Sequence, residues 1–162
     1  MTTPDIFRDE VFPEDVEAIR ALVRSTGFFT EAECVMAGDL AAERLEKGLD
    51  ASGYHFLFLG PAGAFQAYSC FGPVCCAQGS FDFYWLAVQG GLRGKGVGTR
   101  MLAATEAAMK ALGCRKVWIE TSTQPLYTPT RAFYLARGYR LEATLEDFYA
   151  PGDGKAVFSK VL

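Results

Sequence analysis

The chain has 162 residues, 50% of them hydrophobic, and a net charge of −3. This is the length of one domain with room for a packed core, and thirteen Phe exclude a disordered chain. The slight acidity weighs against a general nucleic-acid binder, which presents a basic surface. No apolar run reaches the ~18 residues of a membrane span, and Met1-Thr2-Thr3-Pro4-Asp5 lacks the basic and apolar regions of a targeting signal. The expectation is a cytoplasmic protein of one domain, 1–162, with neither nucleic acid nor membrane as partner.

A first strand is predicted over 5–11. Pro13 suits the first turn of a helix whose stripe of Val16, Ile19, Leu22 and Val23 ends near Gly27. Thr30, with Glu33 three residues on, forms a capping box for a second helix, which Gly48 stops. The period then changes. Residues 54–59 and 64–71 read as strands joined by Gly60-Pro61-Ala62-Gly63. Ser80 to Val88 is almost wholly apolar, the pattern of a strand buried on both faces. A helix over about 97–112 turns Val97, Met101, Leu102, Ala108, Met109 and Leu112 inward and ends at Gly113. Lys116 to Thr121 is the next strand. Thr128 caps a short helix with Pro129 at its first position and Gly138 at its end. Tyr139, Leu141, Ala143 and Leu145 then alternate with Arg140, Glu142, Thr144 and Glu146. The turn Ala150-Pro151-Gly152-Asp153-Gly154 leads into a last strand, 155–161. The order β-α-α-β-β-β-α-β-α-β-β predicts an α/β fold with a central mixed, twisted sheet of about seven strands, flanked by about four helices and ending in an antiparallel ribbon.

Five cysteines (Cys34, Cys70, Cys75, Cys76, Cys114) lack C-x-x-C spacing and read as free buried thiols in a reducing compartment. The adjacent pair admits only a strained bridge. His55 stands alone in an apolar run and reads as structural; it cannot anchor a metal by itself, and no metal is expected.

The most informative stretch runs from Tyr84 to Thr99. It reads as a strand, a tight turn and a glycine-rich helix start. Gly94, Gly96 and Gly98 leave backbone N–H groups uncovered by any Cβ, at the positive end of the helix that follows, so a phosphate can approach them. An ordinary strand-to-helix turn is the competing reading. The spacing is not that of a P-loop, because Gln89 stands where its first Gly belongs and Gly96 follows Lys95. Nor is it G-x-G-x-x-G, because the third Gly falls one residue early. The pattern that fits is Arg-x-x-Gly-x-Gly at Arg93, Gly96 and Gly98.

With the strand Leu86-Ala87-Val88 before it and a helix after it, this motif resembles the pyrophosphate loop of the GCN5-related N-acetyltransferase (GNAT) superfamily. The segment Arg131-Ala132-Phe133-Tyr134-Leu135-Ala136-Arg137-Gly138-Tyr139 resembles that family's second signature, an aromatic pair on a helix shortly before Gly-aromatic. Asp147 to Lys155 is similar to its C-terminal hairpin. The resemblance spans almost the whole chain and the element order matches. Many members carry Asn ahead of the second signature where this chain has Thr128, whose hydroxyl can both cap the helix and contact the cofactor.

The resemblance implies acetyl-CoA as acyl donor and no metal. It implies that the backbone N–H groups of Arg93, Gly94, Lys95, Gly96, Val97, Gly98 and Thr99 hold the pyrophosphate, with charge added by Arg93 and Lys95. For Lys95 a solvated loop position is an equal alternative. Leu86, Ala87 and Val88 pair with the pantetheine arm like an added strand where the sheet splays, and an N–H near Leu86 serves as oxyanion donor. Tyr134 matches the acid beside the leaving thiolate, since a phenol with pKa about 10 is protonated at neutral pH; read without the family, it is a core aromatic.

Glu120, central in its strand, and Asp82, sharing a face with Tyr84, are candidate bases for the acceptor amine. Each can instead bind the acceptor's charge or sit at a solvated margin. Phe28, Phe29, Glu31, Tyr84 and Tyr149, with Asp147, are candidate acceptor-binding residues. The expected activity is transfer of an acetyl group to a primary amine of a small molecule, amino acid or peptide by direct attack in a ternary complex. The alternative is a catalytically silent acyl-CoA-binding module. A homodimer is possible through the last strand, whose apolar edge Ala156-Val157-Phe158 favours being covered.

Overall fold

The computed structural model describes residues 5–162. Its elements follow the predicted order: β1 (Phe7–Arg8), α1 (Pro13–Thr26), α2 (Glu31–Ser52), β2 (His55–Leu59), β3 (Ala67–Pro73), β4 (Ser80–Val88), α3 (Val97–Ala111), β5 (Lys116–Ser122), α4 (Thr128–Leu135), β6 (Arg140–Ala150) and β7 (Asp153–Val161). Short 3₁₀ turns occupy Gly90–Leu92 and Pro125–Tyr127. The strands form one sheet in the order β1-β2-β3-β4-β5-β7-β6. β4 and β5 run parallel, while β1–β2, β2–β3, β5–β7 and β6–β7 are antiparallel. The chain divides into two compact units, residues 5–72 with 85–108, and residues 73–84 with 109–162.

In the first unit the opening strand is shorter than predicted, with only Phe7 and Arg8 paired to β2, and a buried carboxylate ties the segment that follows it. Asp15 is fully buried in α1. It takes hydrogen bonds from the Arg8 guanidinium at 2.6 and 2.8 Å and from the N–H groups of Phe12 (2.8 Å) and Gly63 (3.0 Å). A buried carboxylate needs such partners to offset its lost hydration. The capping box at Thr30 and Glu33 forms as predicted. Gly48 does leave helical geometry (φ 80°, ψ 175°), yet α2 resumes and closes only at Gly53, in the left-handed conformation. The core gathers Ile19, Leu22 and Val23 of α1, Cys34, Ala37 and Ala41 of α2, and Phe56, Phe58, Tyr68, Cys70 and Ala87 of the strands. The Thr105 hydroxyl in α3, fully buried, donates to Met101 O (2.7 Å) and meets Ser69 Oγ at 2.8 Å. The strands buried on both faces are β2 and β3, not β4.

In the second unit β5 lies between β4 and β7. Phe81, Phe83, Val117, Ile119 and Phe158 turn to a buried face with Met109, Tyr134 and Tyr139. The alternate positions Asp82, Trp118, Glu120, Ser122, Lys155 and Val157 share the opposite face, which is only partly covered. This is why the strand at 80–88, read from its apolar run as sealed on both sides, is sealed on one only. Leu112 is 51% exposed, because α3 has ended at Ala111 and Gly113 has reversed the chain. β6 is exposed along its length. Bulges between Leu141 and Ala143 and between Leu145 and Ala150 break the predicted alternation and leave Leu141 and Leu145 outside. β7 is covered on both edges by β5 and β6 within the chain, so its apolar residues do not form an open edge.

Cys34, Cys70 and Cys114 are buried thiols, as expected. Cys75 and Cys76 are exposed, because they sit in the β3–β4 turn, with Cys76 at φ 60°. His55 is half-buried and stacks on Phe71, and burial lowers its pKa, in keeping with a structural role.

Candidate active site

Within the first unit, β4 runs out through Leu86, Ala87 and Val88, and the chain turns at Gln89. The Gln89 N–H donates to Gln66 O at 2.9 Å, and the Gly90 N–H donates to Ser25 Oγ at 3.1 Å. A Cβ at Gly90 would stand 2.2 Å from Ser25 O, so only glycine lets the turn pass the end of α1. Gly94 and Gly96 adopt φ of 76° and 77°, the left-handed region that L side chains avoid. Apart from its own chain neighbours, no described atom lies within 4 Å of a Cβ built on Gly94. Arg93, Gly94, Lys95 and Gly96 are exposed, and α3 begins at Val97, which is buried, followed by Gly98 and the exposed Thr99. Arg100 N donates to Gly96 O at 3.1 Å, closing the first helical turn. The result is an exposed glycine turn at the positive end of a fifteen-residue helix.

Arg93 does not simply point to solvent. Its guanidinium lies 4.2 Å from the centroid of Phe28, in the α1–α2 connection. Phe29 packs against Trp85 with ring centroids 5.0 Å apart. Glu31, in the first turn of α2, takes the Arg24 guanidinium at 2.9 and 3.1 Å, and that bond lowers its pKa. Lys95 is exposed in the loop.

In the second unit, the β4–β5 ladder runs from Ser80↔Lys116 to Phe83↔Ile119. Beyond it β4 continues to Val88 and β5 to Ser122, with no further β4–β5 partner among the described residues. Asp82, opposite Trp118, has its pKa raised first by burial and then by the negative charge of Glu120, with Lys155 opposing. Glu120 is not alone, because its Oε2 sits 2.7 Å from the Lys155 ammonium. Lys155 also lies 3.7 Å from the centroid of Phe148 and 5.9 Å from that of Tyr149. Tyr84 and Tyr149 are both exposed. Asp147, at φ 52°, accepts the Gly152 N–H at 2.7 Å and so shapes the hairpin turn.

Tyr134 lies on the buried face of the same unit. Its ring meets Phe133 (5.4 Å), Tyr139 (5.5 Å) and Phe158 (6.4 Å), and burial pushes its pKa far up. Because Phe158 and Val157 point to opposite sides of β7, Tyr134 and the Asp82–Glu120–Lys155 group belong to opposite faces of the sheet.

Thr128 corrects the sequence reading. The residue flanking the helix is Tyr127, and Thr128 is the first helical residue rather than the cap. Its Oγ1 accepts from Arg131 Nη2 at 3.1 Å, while Arg131 Nη1 holds Ser122 O (2.7 Å) and Gln124 O (3.1 Å). Arg131 thus ties down the β5–α4 connection, and the sequence reading missed it, together with Lys155, Phe148 and Trp118. The pleat period from Glu120 through a paired last strand carries the signal for Lys155; nothing local marks Arg131. Among the described residues no group of acidic, His or Cys side chains is arranged to hold a metal, and no helix is long and apolar enough to cross a membrane.

The sequence profile of the acetyltransferase (GNAT) family matches residues 27–139. A crystal structure of a candidate acetyltransferase of the GNAT family from Desulfovibrio desulfuricans superposes with a TM-score of 0.93. It is 37% identical over 98% of this chain and 99% of that one. Two more distant structures share the fold. One is an aminoglycoside 6'-N-acetyltransferase complexed with coenzyme A (TM-score 0.73, 16% identity, 96% of each chain). The other is a ribosomal-protein-alanine N-acetyltransferase from Brucella melitensis (TM-score 0.75, 18% identity, 97% of this chain and 99% of that one). No curated protein sequence matches the chain.

Proposed function

We propose, for a chain that belongs to the acetyltransferase (GNAT) family, that all 162 residues serve as one acetyltransferase domain. The reaction is transfer of an acetyl group from acetyl-CoA to a primary amine of a small molecule, amino acid or peptide. The observation that carries this is the open glycine turn at the head of α3, directly after the end of β4.

These residues fit the donor. The left-handed Gly94 and Gly96 present N–H groups that no Cβ covers, and the N–H groups from Arg93 to Thr99 hold the pyrophosphate with help from the dipole of α3. Arg93, seated on Phe28, adds charge at the rim. The backbone of Leu86, Ala87 and Val88 offers hydrogen bonds to the pantetheine amides in the manner of a strand, and an N–H there stabilises charge on the carbonyl oxygen. Acetyl-CoA supplies the activated thioester. Tyr134, kept protonated by burial, holds the proton that the departing sulfur needs. On the other face Asp82 takes the proton of the acceptor ammonium, and Tyr84 and Tyr149 shape the acceptor's surroundings. Acceptors of the fold neighbours, an aminoglycoside and a protein alanine, are both amines. Free thiols throughout are in keeping with a cytoplasmic setting.

The test is acetyl-CoA turnover, read as free CoA thiol, against a panel of amines, amino acids and short peptides. Amine-dependent release is expected. In Tyr134→Phe, kcat falls ~10²-fold or more while acetyl-CoA affinity is retained. Tight acetyl-CoA binding with no amine-dependent release across the panel would favour a binding module instead. Absence of CoA binding would sink both.

A further inference from the structure

On the open face of the second unit, two carboxylates and one ammonium share three neighbouring strands. Asp82 on β4 stands opposite Trp118, and Glu120 lies one pleat step further along the same face of β5. Lys155 on β7 stands opposite Ser122, one pleat step beyond Glu120 from the other side. The Lys155 side chain is 13% exposed and Glu120 53% exposed, so packing holds the lysine more than the carboxylate. Phe148 backs the ammonium at 3.7 Å. The groups facing Asp82 are Tyr84 on its own strand, Lys116 and Glu120 on β5, and Lys155 from β7. Lys116 is engaged by Glu142 at 3.3 Å, and β3, next to β4 in the sheet, carries no charged side chain. Among the described residues no cation forms an ion pair with Asp82, whereas Glu120 has one.

We infer that Lys155 is a positioning residue that divides the work of the two carboxylates, holding Glu120 as its ion-pair partner and leaving Asp82 to take the acceptor's proton. The catalytic half of this rests on the proposed transfer reaction; the electrostatic half stands by itself. An unpaired like charge makes a carboxylate hold its proton more tightly, and a bound cation offsets that charge. Burial and Glu120 both push the Asp82 carboxyl up, and Lys155 works against them. Loss of the lysine therefore moves Asp82 further up.

Carbon-13 titration of the side-chain carboxyl groups of the whole chain reads this without any acceptor. In Lys155→Met the Asp82 midpoint rises by ~0.5–1 pH unit, and Lys155→Arg restores it. Glu120→Gln, which keeps the lysine and adds no bulk, lowers the Asp82 midpoint. An Asp82 midpoint that stays or falls in Lys155→Met, rises as much in Lys155→Arg, or fails to drop in Glu120→Gln overturns the inference. With an acceptor in hand, the acidic limb of amine-dependent CoA release moves with the Asp82 midpoint. A limb that stays fixed while the midpoint moves overturns the proton-accepting role of Asp82 and leaves the electrostatic result intact.

Discussion

Tyr134 is packed among Phe133, Tyr139 and Phe158, and its burial disfavours the phenolate. The phenol therefore stays protonated beyond its ordinary pKa of about 10. No alkaline limb due to this residue is expected below pH ~10 in the rate of amine-dependent CoA release; a limb near pH 8–9 that disappears in Tyr134→Phe would contradict its environment. Gly94 makes a different kind of demand. Its φ of 76° is strained for any side chain, while the space around a Cβ is empty. Gly94→Ala is expected to cost ~1–2 kcal/mol of stability from backbone strain alone. It should also weaken acetyl-CoA binding several-fold, because the same N–H groups lose their geometry. Urea denaturation and calorimetric titration read the two effects separately.

The hairpin β6–β7 shows how an exposed element is held. β6 buries none of its residues, yet Glu142, at the bulge, reaches back to Ser159, Arg140 and Lys116. The Ser159 hydroxyl first, then Arg140, lower the Glu142 pKa from 4.5 to about 2. A carboxyl with a lowered pKa contributes stability that is complete above 4.5, shrinks as pH falls below it and is gone below about 2. Amide exchange of β6 should therefore accelerate relative to β5 as pH is lowered from 5 to 3, after correction for intrinsic rates. Glu142→Gln should remove that difference. Equal protection of the two strands across this range would show that the bulge contacts do not hold the hairpin.

At the scale of the whole chain, a ligand that binds only the folded protein stabilises it by mass action. Acetyl-CoA at ~100 times its dissociation constant is expected to add ~2.7 kcal/mol, seen as a concentration-dependent rise in Tm. The rise should survive Tyr134→Phe, whose ring still packs, and shrink in Gly94→Ala. A Tm indifferent to acetyl-CoA would remove the donor site from the proposal.

Element order and type could be read from the sequence because they depend on local physics. The Thr30–Glu33 capping box, Pro13 at a helix start, the left-handed Gly27 and Gly138, and the glycine turn before α3 all act within a few residues of themselves. The Arg93–Thr99 glycine turn and the Phe133-Tyr134 pair could be picked out for the same reason, as contiguous motifs. What the tertiary structure decided lay across strands. Whether 80–88 was sealed on one face or two depended on which neighbours covered it. Thr128 lost its capping role to the geometry of the Pro125–Tyr127 turn and to Arg131. Glu120 and Asp82 had equal standing as bare carboxylates in neighbouring strands. They parted only when β7 inserted beside β5 and brought Lys155 to one of them, because an ion pair depends on distance in space and the pairing register of a distant strand is not written in either strand alone.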